Sequence, residues 1–196
     1  MRKLFAVVSL ALMTLTMSAQ EDSKITVKVG AGLSSVVGSD ANDTKMTFAY
    51  KVGVSYDFGL SENFFIIPGI EFATKGYKIK NDFIDKNLHM SYLQIPVFAA
   101  YKFPIADNMN LAIKAGPDVS YGLFGSDIKY GDEKYNVFDK DNGLKRFDAG
   151  VIAGVSLDFN QFMIGAEYSR GLTKLASSPH SSQFNQAFGI VFGYKF

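Results

Sequence analysis

The sequence has no cysteine, no tryptophan, two histidines and five prolines in 196 residues. Without cysteine there can be neither a disulfide nor a lipid-modified cysteine anchor. The histidines, His89 and His180, stand far apart with no thiol between them. That leaves no set at zinc-ligand spacing, and no cofactor is expected. Charge of one sign is not concentrated either: 20 basic and 19 acidic residues give a net charge of +1, and no Lys/Arg block stands out. Nucleic acid is therefore not an expected partner.

Long apolar runs are also missing, except at the start. Arg2 and Lys3 precede an apolar stretch from Leu4 to Leu15, and Ser18-Ala19 supplies small residues for cleavage. Residues 1–19 read as a signal peptide rather than a span, because the run is shorter than the roughly 20 residues a membrane helix needs. The remaining domain, residues 20–196, loses Arg2 and Lys3 and carries a net charge of −1. It contains no second helical span, yet the chain is 47% hydrophobic and 14% aromatic, with 18 glycines.

Alternation is where those apolar residues go. Phe48, Tyr50, Val52, Val54, Tyr56 and Phe58 alternate with Thr47, Ala49, Lys51, Gly53, Ser55 and Asp57. A period of two places the two sets on opposite faces of a strand. Similar runs cover Ile25–Ser34, Phe64–Tyr77, His89–Phe103, Leu111–Leu123, Phe147–Phe159, Phe162–Gly171 and Asn185–Phe196. Eight strands result, most of them as long as the 9–11 residues or so of a tilted membrane-crossing strand. The links between them alternate long and short, down to Asn160-Gln161 alone. This matches a barrel with short periplasmic turns and long extracellular loops.

The two faces fix which side meets lipid. A soluble lipocalin-like barrel, the competing reading, would carry its charges outside. Here the polar face is mostly glycine, alanine and serine, with single charges at Lys28, Lys51, Glu71, Lys75, Lys114, Asp118, Asp148 and Glu167 and an amide at Gln94. Small residues and pairable charges suit the inside of an eight-stranded barrel, which is just wide enough to be filled by side chains. The fold class expected is all-β: an eight-stranded antiparallel up-and-down transmembrane β-barrel in the cell outer membrane, with a filled lumen rather than a pore. Aromatics at the strand ends form two expected girdles. Phe58, Phe64, Phe103, Phe159, Phe162 and Phe196 make the lower one; Tyr77, Tyr92, Phe124, Phe147 and Tyr168 make the upper.

Descending strands share an ending: Tyr56-Asp57-Phe58, Tyr101-Lys102-Phe103, Leu157-Asp158-Phe159 and Tyr194-Lys195-Phe196. Parity turns the four charges inward near the periplasmic mouth, with signs alternating around the barrel. Asp57, Lys102, Asp158 and Lys195 are thus expected to form a lumenal charge ring, since a buried charge left alone is costly.

Several segments in order resemble the PorT-like outer-membrane β-barrel family of Gram-negative bacteria, over residues 20–196. They are Tyr92-Leu93-Gln94-Ile95-Pro96, Tyr101-Lys102-Phe103, Ala115-Gly116-Pro117, Arg146-Phe147-Asp148-Ala149-Gly150, Gly171-Leu172-Thr173 and Gly193-Tyr194-Lys195-Phe196. The resemblance implies an eight-stranded barrel in the outer membrane and no single activity, although the namesake serves protein secretion. The family usually carries Glu where Gln94 stands. Phe192, Tyr194 and Phe196 also resemble the C-terminal assembly signal of outer-membrane proteins, which makes the assembly machinery an expected partner beside outer-membrane lipid.

Catalytic and metal motifs are sparse. Asp139-Lys140-Asp141-Asn142-Gly143 has its glycine one place early for a calcium loop and lacks the closing glutamate, so it reads as a turn. Gly30-Ala31-Gly32 lies in a strand and lacks the helix a nucleotide motif needs. His180, Ser182 and Glu167 could compose a lipid-modifying hydrolase, but a flexible serine-rich loop explains the first two as well. The chain is expected not to be an enzyme. Five acidic and five basic residues in Ser126–Arg146 make an exposed loop, the expected place for an extracellular or secretion-system protein partner.

Overall fold

A computed structural model describes residues 24–38, 44–80, 85–130, 133–138, 144–175 and 183–196. The signal segment, Asp139–Gly143, His180 and Ser182 lie outside these residues. The strands are β1 (Lys24–Val37), β2 (Thr44–Lys45), β3 (Thr47–Gly59), β4 (Phe64–Lys80), β5 (Asp85–Ala106), β6 (Met109–Gly125), β7 (Asp127–Tyr130), β8 (Glu133–Asn136), β9 (Phe147–Phe159), β10 (Phe162–Gly171) and β11 (Phe184–Lys195).

Eight long strands close into an antiparallel barrel in the order β4-β3-β1-β11-β10-β9-β6-β5, with β5 returning to β4. β1 joins β11 antiparallel from Thr26–Lys195 to Val37–Phe184, so the first and last strands have no free edge. The two-residue β2 pairs with the upper end of β4, and β7 and β8 form a separate hairpin on the extracellular side.

The alternating pattern decides the faces. Phe48, Val52, Ile113, Val151, Ile164 and Ile190 all point outward and are about half exposed. Lys28, Glu71, Lys75, Lys114, Asp118, Asp148 and Glu167 are all buried inside. Such a molecule needs lipid around it, since a continuous apolar belt facing water would far exceed the patches soluble proteins tolerate. Glycine sets the bore. A Cβ on Gly32 would lie 2.0 Å from the Phe188 carbonyl oxygen, and one on Gly116 would lie 1.9 Å from that of Val97. No larger residue fits either place.

The periplasmic turns are tight. Asn108 and Asn160 take the left-handed conformation, which asparagine tolerates better than most residues. Backbone bonds link neighbouring turns: Asn160 N–H donates to Asn108 O at 3.0 Å, and Lys195 N–H to Gln161 O at 2.7 Å.

The extracellular half departs from the sequence expectation in three ways. β4 and β5 run on to Lys80 and back from Asp85, well beyond the alternating segments at Tyr77 and His89. Tyr77 and Tyr92 do not join a girdle: both are buried inside, whereas Phe124, Phe147 and Tyr168 do face outward. Parity put these tyrosines on the inner face of their strands, and their position near a loop obscured it. Lastly, the Ser126–Arg146 segment is not simply an exposed loop. It forms the β7–β8 hairpin and then turns Val137 and Phe138 into the barrel mouth.

Candidate functional site

The lumen is filled in layers. At the periplasmic end, the strand endings of β3, β5, β9 and β11 bring Asp57, Lys102, Asp158 and Lys195 together. Lys102 Nζ lies 2.7 Å from Asp57 Oδ2, and Lys195 Nζ lies 3.4 Å from Asp57 and 2.5 Å from Asp158. Three sides of the ring close. On the fourth, Lys102 instead lies over the Phe65 ring, 3.8 Å from its centroid. From there an apolar cluster of Phe65, Ile67, Phe98, Ala100 and Ile152 runs up the bore, Ile152 lying two residues beyond the level of Glu167 and Lys114.

The middle of the barrel holds Lys28, Lys51 and Lys114 against Glu71 and Glu167. Lys28–Glu71 is 2.6 Å, Lys51–Glu71 3.3 Å and Lys114–Glu167 2.7 Å, and Lys51 also pairs with Glu167. Lys28 and Lys114 both approach the Phe98 ring, at 5.4 and 4.8 Å from its centroid, where the electron-rich ring attracts a cation. Next comes a layer centred on Asp118 and Asp148. Gln94 Nε2 donates to Asp118 at 2.7 Å, a bond that a glutamate there could not make while ionised. Thr173 Oγ1 and Asn185 Nδ2 donate to Asp148 at 2.6 and 2.9 Å. Lys75 stands between the two carboxylates at 3.7–4.0 Å.

These ion pairs fall into three groups: the periplasmic ring (lysines 102 and 195, carboxylates 57 and 158) is balanced, the central group (lysines 28, 51 and 114, carboxylates 71 and 167) has one extra lysine, and the upper group (lysine 75, carboxylates 118 and 148) has one extra carboxylate, so the three together are neutral. Neutrality matters because an unpaired ion in such a narrow, dry bore is expensive.

The extracellular mouth is sealed differently. Val36, Tyr77, Leu88, Met90, Tyr92, Val137, Phe138 and Leu175 pack into an apolar cap. Phe138 meets Tyr92 edge-on at 6.0 Å and lies beneath the Arg146 guanidinium at 4.9 Å. Its ring occupies space left by Gly122, where a Cβ would come within 2.5 Å of the ring. Backbone bonds anchor the loop base: Gly122 N–H to Arg146 O at 2.7 Å, Val137 N–H to Ser126 O at 3.1 Å and Lys145 N–H to Leu175 O at 2.7 Å. Sequence reasoning missed this cap. The available signal was Val137-Phe138, an adjacent apolar pair in a segment rich in charge.

One wall is incomplete. The β3–β4 ladder stops at Lys51–Ala73 and resumes one register out at Lys45–Lys78. Across the gap, Thr74 Oγ1 accepts from the Tyr50 N–H at 2.8 Å and donates to the Tyr50 carbonyl at 3.2 Å. Gly76 has moved inward, and its backbone bonds Ser34 Oγ of β1 at 2.8 and 3.0 Å.

The C-terminal trio Phe192, Tyr194 and Phe196 faces lipid. Tyr194 stacks edge-on against Phe162 and Phe196, and the Phe196 N–H donates to Ile25 O at 2.9 Å. Glu167, the carboxylate considered for a hydrolase, is held inside by Lys51 and Lys114. Among the described residues no group of three or more metal-ligating side chains occurs.

Solved outer-membrane barrels share this fold. Neisserial surface protein A superposes with a TM-score of 0.53 at 10% identity, covering 88% of this chain and 97% of that one. The outer membrane protein OprG of Pseudomonas aeruginosa gives 0.52 at 11% identity, with 89% and 95% covered. The outer membrane enzyme PagL gives 0.51 at 14% identity, with 86% and 98% covered. No curated protein matches the chain in sequence. Residues 18–177 match the outer membrane protein beta-barrel domain family. With its apolar belt, closed sheet and filled bore, the chain belongs to the outer membrane protein beta-barrel domain family and resides in the outer membrane.

Proposed function

We propose that the protein acts through its extracellular face, as an adhesion or partner-binding barrel whose transmembrane part is a rigid, closed support. The observation that carries this reading is the double seal of the lumen, ionic below and apolar above, which leaves no continuous water path. Above such a seal stands the extracellular rim, made by the β4–β5 ends and the β7–β8 hairpin. Rigid scaffolds commonly carry recognition on such segments.

The reading includes no enzymatic activity: Glu167, the carboxylate of the hydrolase set, has its two oxygens paired with Lys51 and Lys114 in place of a histidine it would orient. The PorT-like resemblance adds a finer possibility for the partner: a protein of a secretion system. The lipid-facing Phe196 terminus adds the assembly machinery as a transient one. A photo-crosslinking residue placed in the β7–β8 hairpin, compared with one at Gln161, tests the proposal in intact cells. A protein adduct specific to the hairpin supports it. Absence of any adduct, together with passage of small sugars through reconstituted liposomes, would overturn it in favour of a channel.

A further inference from the structure

The extracellular sector built by β9, β10 and β11 shows charge of one sign. From Leu144 to Phe196 the acidic residues are Asp148, Asp158 and Glu167, and all three are buried in the bore. The basic residues of the same stretch, Lys195 apart, stand outside: Lys145, Arg146 and Lys174 are exposed, and Arg170 is half-buried. Among the described residues none of these four meets a carboxylate at ion-pair distance. Arg146 is engaged by the loop base, where its Nη1 donates to the Gly122 and Leu123 carbonyls at 2.9 and 3.3 Å. Lys145, Arg170 and Lys174 have no such engagement with an anion.

Arg170 sits in an unusual place for a charge. Along β10, Phe162, Ile164 and Tyr168 point to lipid, and Arg170 follows on the same face one step above Tyr168. Its cross-strand neighbours are Val151 of β9 and Gln186 of β11. Its Nη1 makes one long bond, 3.4 Å to Gln186 Oε1, an oxygen the Tyr168 hydroxyl also reaches at 3.4 Å. The Gln186 amide is fixed in turn by Ser35 Oγ at 2.9 Å, and the Phe184 ring lies 5.9 Å from the guanidinium. A guanidinium is a multiple donor with no acceptor, so a single long bond leaves most of its hydrogen-bonding capacity open. Two and four residues further on come Leu172, 61% exposed, and Lys174. Lys145 N–H donates to Leu175 O, which brings Lys145 close to Lys174.

We propose that this face binds the phosphate-bearing headgroup of an outer-leaflet lipid, with Arg170 as the main ligand and Lys174 and Lys145 above it. Position selects a lipid over a soluble anion. Tyr168 and Phe147 belong to the upper aromatic girdle, which marks the lipid–water boundary, so Arg170 stands at headgroup level. Tyr168, Val151, Phe184 and Leu172 surround it with apolar surface suited to acyl chain. An outward charge among such side chains calls for an anion that arrives with a hydrocarbon tail. The planar guanidinium matches a phosphate through two parallel bonds, and the lysines add point charges. Arg170 and Lys174 are four residues apart, roughly 13 Å on an extended chain, which leaves room for a headgroup larger than a single phosphate. This contact lies on the lipid side of the rim and is independent of any partner at the β7–β8 hairpin.

Native mass spectrometry of the whole barrel, released from an uncharged detergent, counts the lipid bound. The probes are phosphatidic acid, diacylglycerol with the same chains but no phosphate, and inositol hexakisphosphate as a soluble polyanion. Wild type should retain phosphatidic acid at a concentration where it retains no diacylglycerol. Arg170→Gln should weaken that binding about tenfold, the scale of one lost charge-assisted bond, and Lys174→Gln should weaken it less. Lys45→Gln removes a cation from β2 on another side of the rim and should leave binding unchanged. Heat-modifiable migration checks that each variant folds, and Lys145→Gln combined with Lys174→Gln replaces Arg170→Gln if that one does not. Equal retention of phosphatidic acid by wild type and the Arg170 variant would overturn the site. So would equal retention of diacylglycerol, or an equal loss in Lys45→Gln, which would mean bulk charge alone. Inositol hexakisphosphate binding as tightly as phosphatidic acid would overturn the lipid assignment in favour of a soluble acidic partner.

Discussion

The two ends of the barrel solve the same problem with opposite chemistry. The periplasmic end closes with ions that the strands themselves present, beside short turns linked by backbone bonds. The extracellular end closes with hydrocarbon brought in from loops, beside a wall whose ladder is interrupted. Ions at a strand end are fixed by register, so their meeting needs only a correct barrel. A loop-borne cap adds an ordering step and depends on a few contacts. The lower seal is therefore the rigid part of the molecule, and the upper seal the part most open to displacement.

Substitutions can separate the two. Asp57→Ala strikes the lower seal hardest, because it leaves Lys102 without its carboxylate and Lys195 with one. Breaking a buried pair this way costs about 3–5 kcal/mol, and denaturant midpoints in detergent should fall accordingly. Phe138→Ala opens the upper seal and should cost about 3 kcal/mol, the lower end for a buried Phe, since the loop can partly settle into the space. Protease should then cut the Ser126–Arg146 segment while the strands stay protected. If protease cleaves wild type and variant equally, the cap is not a closed element.

Thr74→Val sharpens the comparison within the upper half. It removes the one hydroxyl bridging β4 to the Tyr50 backbone and should cost about 1–2 kcal/mol, with faster amide exchange at Tyr50 and none of note at Val54. Deleting Phe196 should have the smallest effect on the folded barrel, below about 1 kcal/mol, because its ring is already mostly exposed to lipid. Surface levels in cells are the discriminating measurement: normal levels would rule out a role for Phe196 in assembly.

Much of the lower half is legible in the sequence. A period-two pattern assigns every inward charge without knowledge of the partner strand, and the repeated apolar-charge-Phe ending puts four of them at one height. The upper half is harder for definite reasons. Tyr77 and Tyr92 are amphipathic, so their type does not separate a girdle from a lumen wall. The β3–β4 slip arises where Thr74 bonds backbone in place of a ladder pair, and threonine is an ordinary strand residue. In 126–146 the residues that build the plug, Val137, Phe138 and Leu144, are scattered among charges with no period to mark them.

What the sequence determines by itself is thus the eight barrel strands, which face of each meets lipid and which charges enter the bore, since these follow from local periodicity. Which lysine meets which carboxylate, that Phe138 fills the hollow above Gly122 and Tyr92, and that the wall parts beside Lys51 are decided only by the closed barrel. Those pairings join residues far apart in the chain, and their geometry depends on register, bore and loop path together.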